Sequence, residues 1–222
     1  FRLIGDMLHL ASILILLHKM NKTHSCAGVS RKTWELYALV FVTRYLDILV
    51  YYISLYNSMM KLFFLGSAFY VIFLMRTRYL ATYDSVNDSI NTLYIIAPSA
   101  FLSLFTTRAI WMGLSWGSVI LDVLWVFSIY VEAAAAIPQI YLLTVSQECH
   151  NLTWHYVATL GAYRLFYVLN WVWRFMTENH YRQWFVTLLG LIQTAIYLDF
   201  LYYYVTATMQ GRRFRLPGAF DD

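Results

Sequence analysis

Residues 156–175 read YVATLGAYRLFYVLNWVWRF, an apolar run that carries Arg164 and Arg174. Wound as a helix, a run of this length covers about 30 Å, the thickness of a bilayer's hydrocarbon core. An arginine at that depth costs roughly 2.5–3.5 kcal/mol on insertion scales, so it needs a partner or a polar cavity. Helical spacing offers a cavity: Tyr163, Tyr167, Asn170 and Arg174 recur at i, i+4, i+7 and i+11 and share one face. The alternatives are ordinary hydrogen bonding between helices for the tyrosines and asparagine, and snorkelling to the interface for Arg174.

A second run, ALVFVTRYLDILVYYISLYN at 38–57, places Arg44 three residues before Asp47, which is either a self-neutralising pair or part of the same cavity. In the first run Arg2 and His9 are seven apart, two turns along one face. Further on, Trp125 and Glu132 are also seven apart, with Asp122 beside them, and Asp199 lies in the last apolar run. Arginine binds a carboxylate bidentately through its planar fork and stays charged. Arginines at several depths therefore point to a ligand with several carboxylates, and an acidic peptide ending in a free carboxylate is the simplest. Asp47 and Asp122 can then receive a cationic group on that ligand.

Composition agrees with a membrane protein. Hydrophobic residues make up 60% and charged residues 13%, against about 25% charged in a soluble domain. Apolar windows give seven spans, at about Arg2–Leu17, Trp34–Ile53, Leu62–Met75, Thr92–Phe105, Val119–Leu143, Tyr156–Phe175 and Trp184–Val205. Pro98 interrupts the short fourth window, which also reads as re-entrant. The first has no small-residue cleavage site after it and reads as a span. With seven spans, Lys19, Lys22, Arg31, Lys32, Arg76, Arg78, Arg212, Arg213 and Arg215 fall on one side, and Arg2, Lys61, Arg108 and Arg182 on the other. The richer side is cytosolic, which leaves the N-terminus luminal and a cytosolic tail from about residue 206. Cys26 and Cys149 fall on the cytosolic side, where no structural disulfide is expected, as do the sequons at Asn21, Asn87 and Asn151. No clustered basic face for nucleic acid is visible.

The order of these residues resembles the ER lumen protein-retaining receptor (KDEL receptor) family along almost the whole chain. The matching segments are FRLIGDMLHLASILILL, SCAGVSRK, LVFVTRYLDI, ISLYNSMMK, ATYD, WVFSIYVEAAAAIPQ, GAYRLFYVLNWVWR, QTAIYLDFLYYYV and a basic tail near RRFRLP. The resemblance implies an all-α membrane protein of seven transmembrane helices, arranged as two three-helix bundles with a linking helix, SWEET/PQ-loop-like. Pro138-Gln139 looks like the PQ signature, which taken alone is more often a kink. The implied activity is pH-dependent capture, in the Golgi, of the C-terminal Lys/His-Asp-Glu-Leu signal of escaped ER luminal proteins. Return to the ER by retrograde COPI vesicles follows, so the localisation implied is ER and cis-Golgi membranes. No cofactor is implied.

By position, Arg44 looks like the clamp for the signal's terminal carboxylate, with Tyr45 beside it. Arg2 and Arg174 look like the arginines for its acidic side chains, and Asp47, Asp122 and Trp125 like the subsite for its first residue. His9 looks like the pH sensor, read by Glu132 and Tyr163. Tyr167, Asn170 and Trp171 look like further lining of the cavity, and Arg164 lies on the same helix. Histidine suits a sensor because its ordinary pKa is near 6.5, although burial favours the neutral ring and a satisfied core histidine is the alternative. Asp199, Arg212 and Arg213 look like the trafficking residues that connect to the COPI coat.

Five positions depart from the family's pattern. Asp122 stands for a usual Glu, Gln183 for an Asp, Arg212-Arg213 for a lysine pair and Arg215 for a phosphorylatable serine. A SWEET-like small-solute transporter shares the architecture, but a neutral sugar gives no reason for arginines at three depths. An enzyme fits least: there is no metal-spaced His/Cys set, no Gly-rich phosphate loop and no nucleophile elbow.

Overall fold

A computed structural model of the chain describes residues 1–50, 52–107, 112, 115–146, 151–178 and 184–209. Within the helices, the side chains of residues 151, 152, 154, 184, 199–201 and 203–209 fall outside the description, Asp199 among them. Arg108, Cys149, Arg182, Gln183, Arg212, Arg213 and Arg215 also lie outside the described residues. What is described contains helices and no strand: α1 (Arg2–Thr23), α2 (Arg31–Arg44), a 3-10 turn (Tyr45–Leu49), α3 (Leu55–Arg76), α4 (Leu93–Thr106), α5 (Trp116–Ala134), α6 (Ile137–Ser146), α7 (Asn151–Thr177) and α8 (Trp184–Met209), with a second short 3-10 turn over Leu80–Thr82.

Among the described residues, α1, α3 and the stretch Trp116–Ser146 that α5 and α6 form together are long and apolar enough to cross a membrane. The α4 helix and Phe185–Leu198 of α8 are shorter apolar helices. Leu3, Phe69, Phe73, Phe101 and Trp173 stand more than half exposed on the outside. Water would penalise such a surface and lipid does not.

Local sequence sets the helix ends. Ser30 caps α2 by accepting the Thr33 N–H, and Ser54 caps α3 by accepting that of Asn57. The α1 helix stops where His24 enters the left-handed region at φ 50°. Four expected spans change as a result. The first runs on past Leu17 to Thr23, which turns Lys19 from a loop cation into a buried helical residue whose Nζ donates to the Ala27 carbonyl. The second ends at Arg44 instead of Ile53, because the chain tightens into the 3-10 turn that carries Asp47 towards α3. The third begins at Leu55, seven residues earlier than its apolar window, since the Ser54 cap outranks hydropathy. The fifth breaks after Ala134. Pro138 lacks the N–H that would satisfy the Ala134 carbonyl, and its ring crowds that carbonyl.

The helices pack so that α1 lies along α7, α2 between α3 and α5, α4 against α5, and α8 against α7 and α5. The first pair is antiparallel, since Phe1 meets Trp173, Asp6 meets Tyr167 and His9 meets Tyr163. Gly5 allows it: a Cβ there would press on the Tyr167 ring at 3.0 Å. The core between α1, α2, α3 and α7 holds Ile13, Leu16, Val40, Phe41, Ala68 and Val71.

Away from this core, Gln139 ties α6 to the turn before α2. Its side-chain oxygen accepts the Ser30 N–H at 2.9 Å, its amide donates to the Gly28 carbonyl at 2.9 Å, and its backbone N–H donates to Thr33 Oγ1 at 3.0 Å. Asp88 completes the node, accepting from the Ser30 and Tyr83 hydroxyls at 2.8 and 2.7 Å. The Pro-Gln pair is therefore a packing device joining distant parts of the chain, in addition to the kink its proline produces.

Candidate ligand pocket

Two arginines share one carboxylate at the centre of the molecule. Glu132 of α5 accepts from Arg44 Nη1 of α2 through one oxygen and from Arg164 Nη2 of α7, at 2.5 Å, through the other. Arg44 Nε also donates to Ser128 Oγ at 3.0 Å. Ser128 and Glu132 are four apart and so stand on one face of α5. Arg164 is buried and Arg44 largely so. The three charges sum to +1, and Arg44 Nη2 and Arg164 Nε are buried with no hydrogen-bond partner among the described residues. Buried donors without partners are costly, and charged ones most of all.

Above this cluster lies a cavity of about 200 Å³. Its walls come from seven elements: His9 of α1, Phe41 and Arg44 of α2, Tyr45 of the 3-10 turn, Phe64 of α3, Trp125, Ile129 and Glu132 of α5, Tyr163, Arg164, Tyr167 and Trp171 of α7, and Val186, Leu189, Gly190 and Gln193 of α8. The His9 ring stacks on Phe64 at 4.4 Å and on Tyr163 at 4.3 Å, nearly parallel to the latter. Arg164 in turn places its guanidinium 4.6 Å from the Tyr163 ring centre. Imidazole, phenol and guanidinium are thus in direct succession, ending on Glu132.

Of the residues singled out in the sequence, the structure brings His9, Arg44, Tyr45, Trp125, Glu132, Tyr163, Arg164, Tyr167 and Trp171 to this one cavity. It does not bring Arg2, Asp47, Asp122, Asn170 or Arg174 to its walls. Arg2 lies 4.0 Å from Asp6 with its side chain 66% exposed, and Arg174 donates twice to Glu178 at 2.8 and 2.9 Å. Because α1 and α7 run antiparallel, Arg2 and Arg174 stand at the same end of the pair. About 15 Å of helix separates Arg174 from Arg164. Asp47 does not pair with Arg44; both its oxygens accept from Lys61 Nζ, at 2.8 and 2.7 Å.

Several participants escape a reading by helical face. Asp6 accepts the Tyr167 hydroxyl and, through its other oxygen, the Tyr56 hydroxyl at 3.0 Å. Gly190 lies against the Trp171 indole so closely that a Cβ would collide with it. Gln193 lines the cavity with a buried Nε2 that has no partner among the described residues. Gln193 carries the one available signal, an amide within an apolar run; a glycine and a carboxylate near a chain end announce nothing. No group of three His, Cys, Asp or Glu is placed to hold a metal among the described residues.

Comparison with known proteins identifies the family. The sequence profile described as ER lumen protein retaining receptor matches residues 25–174. An ER lumen protein-retaining receptor of Petunia hybrida is 47% identical over 219 residues, covering 98% of both chains. One from Drosophila melanogaster is 42% identical over 217 residues, again 98% of both chains. ER lumen protein-retaining receptor 2 of Danio rerio is 40% identical over 217 residues, with the same coverage.

Proposed function

Because the chain belongs to the ER lumen protein-retaining receptor family, we propose that it captures the C-terminal Lys/His-Asp-Glu-Leu signal of escaped ER proteins and returns them from the Golgi. One observation carries the reading: the two buried guanidiniums share a single carboxylate, which leaves a net positive charge and an Arg44 Nη2 with no partner among the described residues at the cavity. A terminal carboxylate supplies the missing charge and accepts that donor. The cavity is smaller than the roughly 300–1,000 Å³ typical of small-molecule sites. It suits the end of a peptide, while Arg2 and Arg174 at the outer end suit the acidic side chains behind it.

Protonation of His9 gives the switch. A third positive charge beside Arg164 is unfavourable in the empty site, where Glu132 is the one carboxylate lining the cavity among the described residues. Peptide carboxylates remove that imbalance, so proton and peptide promote each other's binding. A single linked proton changes affinity by at most about tenfold per pH unit. Binding then strengthens in the mildly acidic Golgi and weakens in the ER. The seven spans adopt the family's two bundles with a linking helix, the N-terminus is luminal, and Arg212-Arg213 present the cytosolic tail to the COPI coat.

The test is binding of a peptide ending in His-Asp-Glu-Leu to the purified protein from about pH 5 to 8, the range in which histidine titrates, beside a C-terminally amidated control. The free peptide is expected to bind tightest on the acid side and the amide not to bind. Equal binding of the two rejects the reading.

A further inference from the structure

We propose that Lys61 is a built-in competitor for the cationic first residue of the peptide, held on the carboxylate that this residue would use. The inference rests on the retrieval-signal reading above and adds to it a residue that sets how strongly a cationic first residue is preferred.

Asp47 has both oxygens on Lys61 Nζ, at 2.8 and 2.7 Å. The same ammonium is 5.7 Å from the centre of the Tyr45 ring. A carboxylate beside an aromatic face is a site built for an ammonium ion, and here the protein's own side chain fills it. Tyr45 also lines the cavity, so the site adjoins the pocket. Arg44, the other cation near Asp47 in the chain, is directed to Glu132 and Ser128 instead. Lys61 is therefore the cation a ligand must displace.

The pair is open to exchange. The Asp47 side chain is 39% exposed while that of Lys61 is 12% exposed, so an incoming group can approach the carboxylate before the lysine leaves. A lysine on a flexible four-carbon stem can swing away without moving α3. Breaking a partly exposed ion pair shifts a competing equilibrium by up to about fivefold. A cationic first residue restores what it breaks. A neutral one restores nothing, and leaves Lys61 in place. The internal pair thus offsets part of the attraction for a cationic first residue and lowers the preference for it over a neutral one.

The experiment compares peptides ending in Lys-Asp-Glu-Leu and Gln-Asp-Glu-Leu on the purified full chain and its Lys61→Met variant. Lys61→Met is expected to tighten the lysine peptide by about threefold to fivefold and the glutamine peptide by less than twofold. In a second arm, limiting amine-acylating reagent is applied to the unaltered protein and modification of Lys61 is followed by mass spectrometry. Lys61 should react slowly alone and with the glutamine peptide, and faster with the lysine peptide in excess. This arm decides the matter even where the variant fails to fold. If the unaltered protein binds neither peptide, the retrieval-signal reading falls and this inference with it. If it binds them but Lys61→Met leaves the lysine peptide unchanged or weaker, or acylation ignores the peptide, Lys61 is only a structural pin between the 3-10 turn and α3.

Discussion

The Tyr167 hydroxyl of α7 donates to Asp6 of α1, a carboxylate that also accepts from Tyr56 of α3. Three helices thereby meet at one nearly buried acid. Asp6→Asn leaves one acceptor where there were two, so one tyrosine loses its partner. The expected loss is about 1–3 kcal/mol, the cost of an unsatisfied buried polar group, read as a lower thermal midpoint in detergent. Adding Tyr167→Phe to Asp6→Asn should cost little more than the first change, since both act on one interaction. Fully additive losses would show that the contact contributes nothing.

Arg44 offers a test by chemical double cycle. Arg44→Ala, or amidation of the peptide, should each weaken binding by about 3–5 kcal/mol, the cost of breaking one side of a desolvated charge pair. Combining them should add little. Additive losses would assign the terminal carboxylate to another group, and Arg164 is the neighbour to try next.

The pH dependence should reside in His9. With proton and peptide favouring each other, affinity is high below the histidine's titration range and falls as pH rises through it. His9→Ala should flatten the binding profile between about pH 5 and 8. Glu132→Gln should lower affinity chiefly on the acid side, because it removes a negative charge that helps Arg44, Arg164 and a protonated His9 coexist. A full pH response in folded His9→Ala would move the sensor elsewhere.

Gly190 sets the position of one cavity wall. A methyl group at 190 collides with the Trp171 indole and must push it towards the cavity, an overpacking strain of about 1–3 kcal/mol. Gly190→Ala should therefore weaken peptide binding about tenfold or more, and Trp171→Phe, with its smaller ring, should restore part of the loss in the double variant. Unchanged affinity in the single variant would mean that the indole is not a wall of the occupied site.

Periodicity and composition made much of this legible. The α7 face with Tyr163 and Tyr167, and the seven-residue spacing of Trp125 and Glu132, depend only on helix geometry, and these four line one cavity. Pairings across the chain were not legible, because a sequence displays local options first. Arg44 and Asp47 look like partners at i+3. Their actual partners, Glu132 and Lys61, are brought near by the packing of α2 against α5 and α3. The 3-10 turn at Tyr45–Leu49 escaped for the same reason: hydropathy continues through it unchanged. Lys19 shows a further limit, since a charge count places every lysine in water and this one sits inside the fold.

The interruption between α5 and α6 has a consequence for how the fifth span breathes. The Ala135 amide donates to the Glu132 carbonyl at 3.4 Å, and the proline leaves the Ala134 carbonyl without its usual helical donor. This seam lies between Glu132 on one side and Gln139 on the other, so the pocket and the Gly28–Ser30 turn are fastened to separate rigid rods. In a hydrogen-exchange experiment deuterium should enter this span first at Ala135 and Ala136, and any swing of one rod against the other would be concentrated in those two alanines.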